Sequence, residues 1–388
     1  MNSKNSEILK QIVSFFCYLE YKSIDAIGLL NGNAGISLFL FYYARYAENE
    51  EIENKAMDFL IDSVRQIDRY FYHSYFSGIS GLCWTIDHLC NNGFIHLDNR
   101  EIFKQFDNIL CQSVLQDIRR DNFDFLHGGI GTLIYLLKRI SNPIVKQNVE
   151  QVIMMLNEKK IQCGNLCFWN FYNISNNEYE RNISISHGQS SILVFLCKCY
   201  LLGIEKNIVK SIAQMCVNYI LDQEYLDARV GSFFPNKINE HSSPHKSRMG
   251  WCYGDLGIAI ALWHYSRVFK DEEIEAKVIE ILLFAAKRRD LALNGVIDGS
   301  LCHGCAGLAI IFRRMFYHTN IKAFYEAATY WIEQTLLMSK FPDGLIGYKA
   351  NGKDISYNLL TGVSGIGLSI LTFLEKKDLY WDECLLLI

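Results

Sequence analysis

A chain of 388 residues, 50% of them apolar and 21% charged, can bury a large core and does not have the composition of a disordered protein. A formal net charge of −4, from 38 basic and 42 acidic residues, gives no reason to expect nucleic acid or an anionic membrane surface as partner. Length alone allows two or three domains of roughly 150 residues. The first apolar run is interrupted by Glu20 and Lys22, and no small-residue cleavage site follows, unlike a signal peptide. From there one unit recurs along the chain: an amphipathic helix, a Gly-x-x-Gly motif, and a more apolar helix. Its first glycines are Gly32, Gly78, Gly128, Gly188, Gly254, Gly304 and Gly362, separated by 46, 50, 60, 66, 50 and 58 residues. The fourth copy, Gly188-Gln-Ser-Ser191, has serine in place of the second glycine.

The segments before the glycines, such as Ile52–Tyr70, Glu101–Arg120 and Glu272–Lys287, repeat apolar residues at three- and four-residue steps, with charges on the other face. The segments after them, such as Gly81–Leu89, Gly131–Ile140 and Gly257–Val268, are apolar nearly all round and belong in an interior. The pattern predicts an all-α fold of seven outer and seven inner helices, a double layer. Two irregular segments, Gly164–Asn182 and Asp227–Arg248, are the places for short β-hairpins. A closed α/α toroid is favoured over an open solenoid, because no terminal unit reads as a polar cap and the ending Leu385-Leu-Leu-Ile388 needs cover. The repeat thus replaces two or three domains with a single one over 1–388. Thirteen cysteines scattered along a long chain do not frame a disulfide scaffold, so the chain reads as cytoplasmic with reduced thiols. The most apolar stretch, Ile192 to Ile204, is broken by Lys198 and too short to span a bilayer, so no integral membrane protein is expected.

Register carries the chemistry. Two residues before the first glycines stand Leu30, Phe76, Leu126, Ser186, Cys252, Cys302 and Leu360, and one residue before them Asn31, Ser77, His127, His187, Tyr253, His303 and Thr361. Cysteine thus occupies one register in two successive units, and a histidine follows the second. Equivalent positions of adjacent repeats are spatial neighbours, so Cys252, Cys302 and His303 are expected to converge. Two thiolates and an imidazole suit Zn²⁺ and leave one coordination position open, as catalytic sites do. Any one of these cysteines alone is more often a small core residue. Cys302-His-Gly-Cys305 is a rival as a redox pair or a further ligand, but the strand–helix setting of a redox fold is lacking. Cys163 and Cys167 read as structural. Asp124, four before the third first-glycine, and Arg248, six before the fifth, gather near the same rim, where a solvated charge or a loop ion pair is the commoner fate. His127 competes with His187 on register alone.

Taken together, the seven motifs, Trp251-Cys252-Tyr253-Gly254-Asp255-Leu256-Gly257 and Cys302-His303-Gly304 resemble the lanthionine synthetase C-like family over nearly the whole chain. The resemblance implies an α/α toroid with one Zn²⁺ held by Cys252, Cys302 and His303. It also implies His187, Asp124, Arg248 and Tyr253 as active-site residues. The length matches a stand-alone cyclase, and no segment stands out as an inserted substrate-binding domain.

The implied reaction is intramolecular Michael-type addition of peptide cysteine thiolates to dehydroalanine or dehydrobutyrine, forming thioether rings. Its substrate is a dehydrated precursor peptide, with a separate dehydratase and a peptide exporter as further partners. His187 is the candidate acid, Asp124 its orienting charge, Arg248 the enolate stabiliser, and Tyr253 a pocket wall. One alternative is a zinc-containing, glutathione-binding relative without cyclase activity, which could dispense with His187 and Asp124. Another is a carbohydrate enzyme using paired acids, for which Asp255 and Asp298 are available but not paired by register.

Overall fold

The computed structural model describes residues 2–20, 26–69, 72–97, 99–173, 178–225, 227–238 and 244–387. Among them fourteen α-helices alternate along the chain as the repeat predicts. The outer set is α1 (Asn2–Tyr18), α3 (Glu50–Arg65), α5 (Asn99–Arg119), α7 (Pro143–Lys159), α9 (Lys206–Asp222), α11 (Glu272–Ala286) and α13 (Lys322–Leu337). The inner set, each following a glycine motif, is α2 (Asn33–Ala47), α4 (Ile79–Asn91), α6 (Gly129–Leu136), α8 (Gln189–Leu201), α10 (Asp255–Phe269), α12 (Cys305–Thr319) and α14 (Val363–Leu374).

Local chemistry explains the starts. Asn49 caps α3 by accepting from Ile52 N–H, and Glu50, Glu51 and Glu53 oppose the positive end of its dipole. Asp271 caps α11 in the same way, and Asn142 with Pro143 opens α7. Outer helices bury one stripe: Ile52, Ala56, Phe59 and Leu60 in α3. Inner helices bury nearly every residue of their first turns, from Asn33 to Ala44 in α2 and from Gln189 to Cys197 in α8.

The motif's two glycines do different work. The first precedes the helix as its N-cap, and the second lies one turn inside. A Cβ on Gly35, Gly81, Gly257, Gly307 or Gly365 would overlap the carbonyl oxygen six residues earlier. The incoming loop thus lies directly on the first turn, which brings the residues before the motif over the helix N-terminus. In the fourth copy Ser191 is buried, and its hydroxyl donates to the Gly188 carbonyl at 2.8 Å.

Two compact units are present, Met1–Asn99 with Leu291–Ile388, and Arg100–Asp290. In the first, backbone hydrogen bonds link the same register position of successive repeats. Cys302 N–H donates to Leu360 O, Leu360 N–H to Leu30 O, and Leu30 N–H to Phe76 O, each at 3.0 Å. The seventh repeat is therefore the neighbour of the first, as closure of the series requires. The C-terminal 3₁₀ segment Trp381–Leu385 buries Trp381, Cys384 and Leu385, and Leu386 and Leu387 follow them inside; Ile388 lies outside the described residues. This segment is tied down by Arg314, which donates to Asp378 and to both carboxylate oxygens of Asp382. Arg314→Met leaves the buried Asp382 carboxylate uncompensated and is expected to cost about 3–5 kcal/mol, read as a lower urea midpoint at unchanged slope.

The second unit adds two antiparallel hairpins, β1 (Ile161–Cys163) with β2 (Leu166–Phe168) and β3 (Phe171–Asn173) with β4 (Glu178–Glu180). Three of these strands fall within the first irregular segment, Gly164–Asn182, and β1 lies just before it. The second irregular segment, 227–248, holds no strand among its described residues, only the 3₁₀ turn Ala228–Val230; residues 239–243 lie outside the described set. The reason is visible in its hydrogen bonds. Phe233 and Phe234 N–H both donate to the Asp255 carboxylate, at 3.0 and 2.9 Å, so those amides need no strand partner. All thirteen cysteines are present as thiols. No helix among the described residues is long and apolar enough to cross a membrane.

Candidate active site

In the second unit the residues before the third, fourth and fifth motifs gather. Asp124 sits in a turn position that four other repeats fill with serine or asparagine and two with glycine. Its Oδ1 accepts from Leu126 N–H at 2.7 Å and His127 N–H at 2.8 Å, as Asn358 Oδ1 accepts from Thr361 N–H and Ser184 Oγ from His187 N–H. Its other oxygen does what serine cannot: Oδ2 accepts from His187 Nδ1 at 2.6 Å. One carboxylate thus shapes its own turn and orients an imidazole 63 residues away.

The pair shifts both titrations. Burial opposes the charge on His187, but the Asp124 carboxylate outweighs it, and the imidazole pKa is raised above the ordinary 6.5. Burial likewise opposes the charge on Asp124, and the His187 cation with the backbone N–H donors holds its carboxyl below 3.8. Hydrogen bonding fixes the tautomer: with Nδ1–H given to Asp124, Nε2 is the nitrogen left to meet a substrate.

Arg248 donates through Nη2 to the Cys252 sulfur at 3.0 Å, and its guanidinium carbon lies 5.3 Å from the Tyr253 ring centre. The Tyr253 ring in turn lies 5.8 Å from that of His187. Burial pushes the Tyr253 phenol up to about 12, so it stays neutral. The tight link between Cys252-Tyr253 and α10 is Gly254, whose φ of +80° excludes a side chain without strain. Of the residues singled out in this part of the sequence, Asp124, His187, Arg248, Cys252 and Tyr253 are thus joined by direct contacts.

In the first unit Cys302 and His303 stand at the turn before α12. His303 Nε2 meets Asn351 Oδ1 at 2.7 Å and lies 3.5 Å from Asp298 Oδ2, which also accepts from Asn351 N–H at 2.7 Å. With Nε2–H donated, Nδ1 carries the lone pair, as a ligating imidazole oriented by outer partners requires. Asp298 and Asn351 thus hold the far nitrogen of His303, a task that the register of the motifs did not assign to either. Asp298 had a signal: it stands six before its glycine, as Asn122 and Asn182 do before theirs, and its Oδ1 caps Ser300 N–H as Asn182 caps Ser184 N–H. Asn351 lies in a connection of irregular backbone and had none.

The predicted ligand group is supplied by both units: Cys252 is buried in the second, and Cys302 and His303 are buried in the first. Cys305 stands apart from that group. It is the first residue of α12, fully buried, and burial pushes its thiol up to about 12, the behaviour of a core residue. The paired-acid reading fails on partners. Asp255 is taken by Arg288 at 2.8 Å and by two backbone amides, and Asp298 by Ser300, Asn351 and His303.

The chain is similar to the Nisin biosynthesis protein NisC of Lactococcus lactis subsp. lactis, at 22% identity over 394 residues, covering 92% of this chain and 88% of that protein. Among solved structures it is similar to nisin cyclase, with a TM-score of 0.78 at 19% sequence identity, over 98% of this chain and 97% of that one. That likeness establishes the fold, a helical toroid. The family model described as lanthionine synthetase C-like protein matches residues 23–386, and over that span the chain belongs to the lanthionine synthetase C-like family.

Proposed function

We propose that the protein is a zinc-dependent lanthipeptide cyclase, joining cysteine thiols of a dehydrated peptide to dehydroalanine or dehydrobutyrine as thioether rings. The observation that carries this reading is the family match over residues 23–386. The donor set supports the metal: two thiols and an imidazole whose far nitrogen is already held are soft, deprotonatable ligands of the kind zinc takes. Cys252, Cys302 and His303 would hold one ion per chain. When bound, that ion supplies the positive charge that keeps a substrate thiol ionised near neutral pH.

The remaining work falls to the chain's own groups. As the substrate sulfur forms its bond to the β-carbon, the C=C electron pair moves onto the neighbouring carbonyl oxygen. Arg248, a permanent cation beside Cys252, stabilises the charge that builds there. His187, kept protonated by Asp124, then gives its Nε2 proton to the α-carbon, and the enolate returns to a carbonyl. The proton released from the thiol balances the one consumed, so His187 is restored without a co-reactant. Tyr253 remains a neutral wall. The dehydrated residues belong to the substrate, so a separate dehydratase would act earlier and a peptide exporter would take the product. Thirteen cysteines present as thiols suit the reducing cytoplasm.

The test is direct. Purified protein should contain about one zinc per chain by atomic emission. It should also convert a peptide carrying one cysteine and one dehydroalanine to a product of equal mass that no longer reacts with iodoacetamide. Zinc without ring closure, together with glutathione binding, would sink the cyclase reading and leave a thiol-binding relative.

A further inference from the structure

His127 shares its register with His187 and His303, one residue before a first glycine, and the mechanism above gives it no task. Its backbone N–H donates to Asp124 Oδ1 at 2.8 Å, the carboxylate whose other oxygen holds His187. Its ring lies nearly parallel to the His187 ring, with an interplanar angle of 13° and centres 6.2 Å apart. A ring held by one hydrogen bond at Nδ1 can still rotate about that bond. Contact with a second ring removes this freedom and fixes where Nε2 points.

We propose that His127 is a positioning residue, whose ring stacks on the His187 imidazole and holds its Nε2–H in line with the substrate's α-carbon. The assignment rests on the cyclase reading and deepens it. The charges around the two rings favour the stack. Crowding by the rim takes water from the His127 ring and lowers its pKa, Asp124 raises it, and the charge on His187 lowers it further, so the ring is neutral at neutral pH. His187, whose pKa is raised by Asp124, is the one of the two that more readily carries the proton. A neutral π-face against an imidazolium attracts, whereas two cations would repel. An aliphatic side chain at 127 would keep the backbone bond to Asp124 and lose the ring contact alone.

The test compares His127→Ala with His127→Phe in the full chain. His127 stands at the surface outside the core, with its ring only partly covered by neighbours, so neither change threatens folding. With the cysteine–dehydroalanine peptide as probe, His127→Ala should lower kcat about tenfold at unchanged KM, and His127→Phe should stay within about twofold of the parent. A second readout needs no turnover: the low-field proton NMR signal of the His187 Nδ1–H bonded to Asp124, identified by its loss in His187→Ala. It should broaden or vanish in His127→Ala and persist in His127→Phe. An unchanged kcat and a sharp signal in His127→Ala overturn the assignment, as do equal losses in both variants. Should the parent protein fail to close rings, the cyclase reading falls while the NMR signal still decides the positioning role.

Discussion

Cys302→Ala is expected to abolish zinc binding and ring closure together. The substitution leaves one thiolate and one imidazole, too few to compete with water for the ion. Zinc content should fall from about one per chain to below about a tenth, a loss larger than the 10–100-fold typical of an outer-sphere change. Cyclisation should drop at least about a thousandfold, because a peptide thiol is only a few per cent ionised near pH 7 without the metal's charge. The fold should survive, since Cys302 reaches the neighbouring repeat through its backbone N–H, which alanine keeps. Cys305→Ala is the matched control: a buried thiol three residues on, outside the ligand group, that should leave zinc unchanged. Stoichiometric zinc in Cys302→Ala would falsify the ligand assignment.

The second large effect is at His187. Its replacement by alanine removes the proton donor while leaving Cys252, Cys302 and His303 intact, so zinc should remain and kcat should fall by about 10²–10⁴. The pH dependence has a definite sign. The imidazolium is the working form, and its pKa lies above 6.5, so kcat in the parent should decline as pH rises through that raised value. Asp124→Asn keeps the turn-capping oxygen but removes the negative charge. The largest charge opposing burial at His187 is then gone, leaving the weaker pull of Cys252 and Glu180, and the alkaline decline should move to lower pH. A decline that stays in place in Asp124→Asn would show that the carboxylate does not set the protonation of His187.

The same residues show where sequence reasoning stops. His127 and His187 have identical register and similar surroundings in the chain, and nothing local separates them. Space separates them: Asp124 sends Oδ2 to His187 Nδ1, while its Oδ1 accepts from the His127 backbone N–H. Asp255 read as an available acid, yet its carboxylate is consumed by Arg288, 33 residues on, and by Phe233 and Phe234, whose capture also removes the strand expected of their segment.

What the sequence determined by itself is everything periodic. Apolar spacing marks seven outer and seven inner helices, and the glycines mark their junctions. The shared register of Cys252 and Cys302 singles out two thiols among thirteen. These features are legible because helix formation, capping and close approach at glycine depend on residues within a turn or two of one another. The family resemblance named Asp124 for His187, and the tertiary structure alone decided the other partners: Arg248 for Cys252, and Asp298 with Asn351 for His303. Hydrogen bonds act over about 3 Å. Which distant groups come within that reach is set by how the loops fold over the inner helices, and no spacing along the chain records it.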